Sequence, residues 1–398
     1  MPYLRSAPAM RLGIAGLTAA ALGLVALTAG YSHFVIALVA LTTVAGVGLN
    51  VLLGLTGLIS FGHAGFYAIG AYASAILTLH GVSFWLALPA AALIAALLGG
   101  LVAVPAMRVK GPYLAMLTIA FGFIVEHGLI EGGELTGGQN GLVVTVAPTL
   151  LGEPVSAAGL AVLAVLAAGA SLAGFDLLAR SRLGRAMRAV RDADVAAAAL
   201  GFDPVRVKTL AFAISAALTG LAGAVLPPLM LFIAPSSFPF SQSILFVLSV
   251  IVGGAGTMLG PLFGALVTVL LPEALSGLAE YRLLFFGVAT LAVLWLVPSG
   301  LVGSLARLLP RGRDAPGAGD SEEVSLPGTT ARDPLVLEGI GIRFGGITAA
   351  EGVDLTAQPA AGSSRSSTVG PPASARAIST SRRSTWGNSA AKRSRAPR

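Results

Sequence analysis

The chain has 398 residues, 55% of them hydrophobic and 11% charged, with a mean hydropathy of +0.86, the composition of a polytopic membrane protein. It contains no Cys, which excludes disulfides, thiolate metal sites and cysteine nucleophiles. Little of the net charge of +7 belongs to residues 1–303, with 12 Lys/Arg against 10 Asp/Glu; residues 304–398 hold the other 13 and 8, so the high pI is a weak argument for nucleic-acid binding.

A helix needs roughly 20 apolar residues to cross the hydrocarbon of a bilayer. On that basis the chain is predicted to be all-α, with about ten transmembrane segments at 12–30, 34–54, 62–80, 84–106, 113–130, 157–178, 209–232, 243–258, 260–277 and 283–303. The first run follows Arg5 and Arg11; it is long for the core of a cleaved signal peptide, and a first membrane helix is the simpler reading. Lys and Arg favour the cytoplasmic side. Arg108, Lys110, the 180–208 loop and Arg307, Arg311 and Arg313 are therefore predicted inside, and the acidic 131–156 loop outside. Ten spans with both termini cytoplasmic satisfy every assignment. A single span over 243–277 would put the basic C-terminal cluster outside. That segment is predicted to cross twice or re-enter, breaking at Gly253, Gly254, Gly256 and Gly260, because Gly and Pro weaken a helix.

A second interruption lies at 54–67, where Gly54, Gly57, Gly62 and Gly65 sit with Thr56, Ser60 and His63 between apolar runs. Irregular backbone at membrane depth needs protein or water to satisfy it. Two such breaks suggest a translocation path lined by Thr56, Gly57, Ser60, Gly62, His63, Gly65, Gly253, Gly254 and Gly256. Close helix packing through small residues is the other reading. His63 is read as a hydrogen-bonded structural residue, since a proton relay would want several intramembrane acids and Glu126, Glu273 and Glu280 all fall near predicted span ends. In the outer loop, TGGQNG at 136–141 reads as turns.

The strongly charged passage inside the apolar region is Arg180–Lys208, with seven basic and three acidic residues. Leu183, Met187, Val190 and Val195 interleave with Arg185, Arg188 and Arg191, so 184–200 is predicted as one or two short amphipathic helices. Ala196, Ala197, Ala198 and Ala199 favour helix up to Leu200, Gly201 ends it, and Asp203-Pro204 begins the next turn or helix. An interfacial helix on anionic lipid and a surface that fits a partner's cleft both suit this pattern.

The AAALG run at 197–201 resembles the core of the coupling-loop signature of ABC importer permeases. The wider stretch 184–224 is similar to the branched-chain amino acid importer permeases, the larger of the two membrane subunits. The likeness recurs in GLISFGHAGFYAIGAY (57–72), GPYLAMLTIAF (111–121), TGGQNGL (136–142), GGAGTMLGP (253–261) and PSGLVG (298–303). Ala198 stands where that family often has an acidic residue, so no ion-pair role passes to it. The resemblance implies a bacterial inner-membrane transport subunit, not an enzyme, that works with a second permease subunit, two cytoplasmic ATPases and a periplasmic binding protein. It implies ATP and magnesium on the ATPase and none on this chain. Urea and short-amide importers share the family, and an ion-coupled carrier is the alternative from another class.

The domain organisation expected is a permease over 1–306, a polar linker over 307–334, opening strands of an ATPase over 335–359 and a disordered basic tail over 360–398. Phe344 matches the adenine-stacking aromatic of the partner ATPases that the resemblance implies. The phosphate loop expected to follow is missing, and the chain after Gln358 has eight basic residues and no acidic one. A basic membrane- or RNA-binding arm is one reading of this tail. A frame-shifted start of the ATP-binding subunit is the other. Codons compatible with Gly370–Ile378, read one base earlier, can encode Gly-Pro-Thr-Gly-Val-Gly-Lys-Ser-Asn, a phosphate-loop pattern.

Overall fold

The computed structural model describes residues 7–107, 109, 112–150, 152–274, 287, 301–302, 335–344 and 347–357. The apolar runs fold as helices. In chain order these are α1 (Ala7–Leu27), α2 (Tyr31–Asn50), α3 (His63–Leu79), α4 (Phe84–Ala106), α5 (Pro112–Glu131) and the single turn α6 (Gly133–Thr136). Short strands β1 (Leu142–Val143), β2 (Thr149–Leu150) and β3 (Glu153–Pro154) follow. Then come α7 (Ala157–Arg180), α8 (Arg182–Asp192), α9 (Asp194–Ala199), α10 (Pro204–Ala224), α11 (Leu226–Met230), β4 (Phe232–Ile233), α12 (Phe240–Gly253) and α13 (Gly260–Ala274). Among the described residues, six stretches are long and apolar enough to cross a membrane: Tyr31–Leu55, Phe84–Ala106, Pro112–Glu131, Ala157–Arg180, Pro204–Met230 and Pro235–Gly253. The shorter apolar helices Leu12–Leu27 and Gly260–Ala274, and the 17-residue α3, accompany them. Each segment expected between 12 and 277 thus overlaps one of these helices, and residues 275–277 lie outside the described residues. The last, at 283–303, lies almost wholly outside the described residues.

α10 sits at the centre, packed against α4, α3 and α2. Small residues allow that approach. A Cβ on Gly70 of α3 would overlap the carbonyl of Gly220, one on Gly223 the carbonyl of Tyr67, and one on Gly99 of α4 the methyl of Ala216. α2 is 78% buried over its apolar window and α5 only 17%, so α2 is core and α5 is rim. Tyr113, Met116, Phe123 and Ile124 expose large apolar surface on α5.

Both predicted breaks are present. α2 runs into a π-helical turn at Val51–Leu55, the chain turns at Gly57 with φ of +72°, and regular helix resumes at His63. α12 ends at Gly253, Gly254 and Gly256 take φ of +116° and +77°, and α13 starts at Gly260. The predicted turns at 136–141 follow directly on α6 and include a 3₁₀ turn at Gly138–Asn140. Beyond them, Leu142 and Val143 pair antiparallel with Ile233 and Phe232.

The chain separates into two compact units, Met1–Arg311 and Gly312–Arg398. In the second, β5 (Leu335–Phe344) and β6 (Ile347–Ala357) form an antiparallel hairpin from Leu335↔Ala357 to Phe344↔Ile347. Phe344 closes β5. The expected linker at 307–334 and tail at 360–398 lie outside the described residues.

Candidate functional site in a charged loop and two broken helices

The Arg-rich passage folds as two short helices. Ser181 caps α8 by accepting from the Gly184 amide at 3.1 Å. Ala186, Met187 and Val190 are buried against the bundle, while Arg185 is exposed, Arg188 half-buried, and Arg185 Nη1 donates to the Arg180 carbonyl at 3.1 Å. In α9 Ala197 is buried, and Ala196, Ala198, Ala199 and Leu200 are exposed. The helix stops in a two-bond cap. The Gly201 amide donates to the Ala198 carbonyl at 3.0 Å and the Phe202 amide to Ala197 at 3.1 Å, with Gly201 at φ of +86°. That left-handed backbone explains why the run ends in Gly. Asp203 then caps α10, accepting from the Val205 and Arg206 amides at 3.0 and 3.3 Å. Lys208 ties α10 back to Asp194 at 2.6 Å. Around the end of α9, Val195 (85% exposed), Leu200 (76%), Phe202 and Val205 form an apolar surface.

This loop is joined to the broken core. Arg191 Nη1 donates to the Gly54 carbonyl at 2.8 Å, and its stem lies over Gly57, where a Cβ would come within 2.9 Å of Arg191 Cγ. The bond satisfies an acceptor that the distorted end of α2 cannot use. Beside it, fully buried Asn50 bridges the second break: Nδ2 donates to the Thr257 carbonyl at 2.8 Å, and Oδ1 accepts from the Gly256 amide at 2.7 Å. Gly54 and Gly256 meet back to back, without room for a side chain on Gly54. Gly253 packs as tightly on Gly260, and Gly254 turns the chain between them.

The 56–65 stretch is held by side chains from three other long helices. Thr118 Oγ1 of α5 accepts from the Phe61 amide at 3.0 Å, and Ser243 Oγ of α12 accepts from the Ala64 amide at 2.9 Å. His63 is fully buried. Its Nδ1 lies 3.0 Å from Ser60 Oγ, and its Nε2 lies 2.7 Å from Ser215 Oγ of α10. A neutral imidazole donates to one hydroxyl and accepts from the other. Thr56 turns back to the Leu52 carbonyl at 2.6 Å. Gly62 abuts the Thr118 carbonyl and Gly65 the Phe121 ring. Of the predicted path residues, Gly65 lines a shallow groove beside α5 and α12; Thr56, Ser60 and His63 are buried within the bundle.

Sequence reasoning missed Asn50, Thr118, Ser215 and Ser243, and it missed the reach of Arg191 to Gly54. The available signal was their chemistry: lone polar residues in apolar helices, whose partners elsewhere in the chain no local pattern reveals.

A bundle of apolar helices with paired internal breaks and a charged helical loop locked onto one of them defines a membrane transport permease. The chain belongs to the family described as branched-chain amino acid transport system / permease component, whose family model matches residues 31–294. It is 37% identical over 283 residues to the high-affinity branched-chain amino acid transport system permease protein LivM of Escherichia coli (strain K12). It is 36% identical over 283 residues to the LivM of Salmonella typhimurium (strain LT2). Each match covers 65% of this chain, and the chain spans 66% of the length of each relative. No solved structure matches.

Proposed function

We propose that this chain is the permease subunit of an ATP-driven importer of branched-chain or related amino acids in the bacterial inner membrane. It pairs with a second permease subunit, receives ligand from a periplasmic binding protein and is driven by two cytoplasmic ATPases that carry the ATP and magnesium. Family membership supports the transport class. The observation that carries the coupling role is the bond from Arg191 to Gly54, which ties the exposed loop to the interrupted helix.

The α8–α9 loop is the docking element on this reading. Its apolar tip at Leu200 and Val195, flanked by Arg188, Asp192 and Arg206, fits a cleft on the ATPase. Closure of the ATPases pushes α8. Arg191 passes the displacement to the end of α2, and Asn50 passes it to the 254–259 break. Both interruptions then move together, and glycine backbones with positive φ absorb the change. The chain itself performs no covalent chemistry.

The test replaces Leu200 with Glu, or Gly201 with Arg, in the assembled complex reconstituted in proteoliposomes. Substrate-stimulated ATP hydrolysis is expected to fall while membrane insertion is unchanged. Normal insertion with full stimulated hydrolysis overturns the coupling assignment.

A further inference from the structure

The stretch Pro204–Met230 is long enough to cross a membrane, so Leu231, which follows it, stands at the end of the bundle opposite the Arg-rich loop. Leu231 caps α11 with φ of +60° and ψ of −3°, its amide donating to the Pro227 carbonyl at 2.8 Å. Among the described residues it is the one residue other than Gly with a positive φ. Gly is the usual occupant of such a cap, because a Cβ is strained there. Burial does not offset the strain, since Leu231 is 57% exposed. A leucine here is unfavourable for the backbone and fills no core, so its use lies outside this chain.

The neighbouring backbone holds Leu231 in place. Its carbonyl accepts from the Val144 amide at 2.9 Å, and Val143 pairs with Phe232 across the β1–β4 ladder. Side chains opposite each other on a ladder share a face. Val143 (62% exposed) and Phe232 (45%) therefore extend the apolar surface of Leu231, while Val144 and Ile233 are buried in the bundle. Gly141 lets the two segments close, because a Cβ there would overlap the Ile233 carbonyl.

The charge of this end identifies the class of partner. Residues 12–107, 111–179 and 209–281 contain no Lys or Arg, while Glu131, Glu134 and Glu153 are exposed in the segment that contains β1. Surfaces that lie on lipid headgroups place Lys and Arg beside their apolar residues. This end does the reverse. A soluble protein with an apolar pocket rimmed by Lys or Arg complements it.

We infer that Val143, Leu231 and Phe232 form the landing surface for the importer's substrate-binding protein, which meets them with an apolar pocket and a basic rim. The inference rests on the proposed import function and adds to it the place and the polarity of the contact. Leu231 enters the pocket. The carboxylates speed the encounter and make it salt-dependent.

The experiment uses the complete complex in nanodiscs and the importer's own binding protein loaded with leucine, and reads ATP hydrolysis against binding-protein concentration. Gly and Asn both suit the left-handed backbone, so Leu231→Gly and Leu231→Asn are each expected to leave the melting temperature of the complex unchanged or higher. Each is expected to raise the half-saturating concentration of binding protein about tenfold or more, as truncation of a buried apolar anchor does. The double variant Glu134→Gln, Glu153→Gln is expected to weaken the salt dependence of the same constant. Unchanged half-saturation in both Leu231 variants overturns the landing surface. So does a fall in their melting temperature without binding protein, because Leu231 is then covered by the second permease subunit or by lipid. Unaltered salt dependence in the double variant overturns the basic rim. Leucine uptake by Leu231→Gly that matches wild type at limiting binding protein removes the surface and leaves the import function standing. Absence of leucine uptake by the wild-type complex removes both.

Discussion

Arg191 and Gly54, 137 residues apart, are joined by a 2.8 Å hydrogen bond from a guanidinium to a main-chain carbonyl. The acceptor lies in the π-helical turn that ends α2, and the donor lies in the last turn of α8. A charged donor on a carbonyl freed by a helix distortion is a stronger tie than a neutral pair.

Arg191→Gln shortens the reach and removes the charge. Uptake per ATP hydrolysed is expected to fall by about tenfold, the factor that about 1.4 kcal/mol of lost coupling gives. Total ATP hydrolysis should change far less, because the tip of α9 proposed as the docking element is untouched. Arg191→Lys keeps the charge without the fork and should fall between. Simultaneous measurement of uptake and phosphate release checks this. An unchanged uptake-to-hydrolysis ratio in Arg191→Gln would mean that the bond is only a structural staple.

Asn50 occupies the junction of both breaks, so its removal should be felt in stability. Asn50→Leu keeps the volume but orphans the Gly256 amide and the Thr257 carbonyl. Each buried orphan costs about 1–3 kcal/mol. The melting temperature of the solubilised complex is expected to drop, and Asn50→Asp, which still accepts from Gly256, should drop less. Equal losses in the two variants would show that the acceptor bond carries no weight.

Much of this arrangement was legible in the sequence. Span positions followed from apolar length, the 253–260 break from Gly and Pro, the stop at Gly201 from its Ala run, and the start of α10 from Asp203-Pro204. What was not legible has a physical cause. α2 and α10 are apolar on all sides, so no 3.6-residue stripe announces which face packs on what. The partnerships of Arg191 with Gly54 and of Asn50 with Gly256 span 137 and 206 residues and leave no local signature. The span expected from 209 begins at Pro204 because hydropathy discounts Arg206 and Lys208, although the Asp203 cap and the Lys208–Asp194 pair support helix there.

His63 stands fully buried between two hydroxyls, an arrangement suited to holding α3 against α10. His63→Ala leaves a cavity and two serines without their partner, and should reduce the yield of folded complex by a destabilisation of about 2–4 kcal/mol. Uptake by the wild-type protein should nonetheless survive collapse of the proton gradient while ATP is maintained. Radiolabel uptake with a protonophore present, set against ATP depletion, separates the two energy sources. Loss of uptake with the protonophore alone would remove the ATP-driven reading.

The glycine seam between α3 and α10 gives a prediction that needs no substrate. A Cβ on Gly70 would fall onto the Gly220 carbonyl, a backbone atom that cannot step aside, whereas one on Gly100 meets nothing within 4 Å. Gly70→Val should therefore force α3 away from α10 and with it the Ser60–His63–Ser215 contact. Overpacking of this kind costs about 1–3 kcal/mol or more. Gly100→Val changes the same side-chain volume at an open site and should be tolerated. Expression, monodispersity on size exclusion and melting temperature of the two variants form a paired test. If Gly70→Val matches Gly100→Val in all three, α3 and α10 do not approach through their glycines, and the position assigned to the broken helix beside them falls as well.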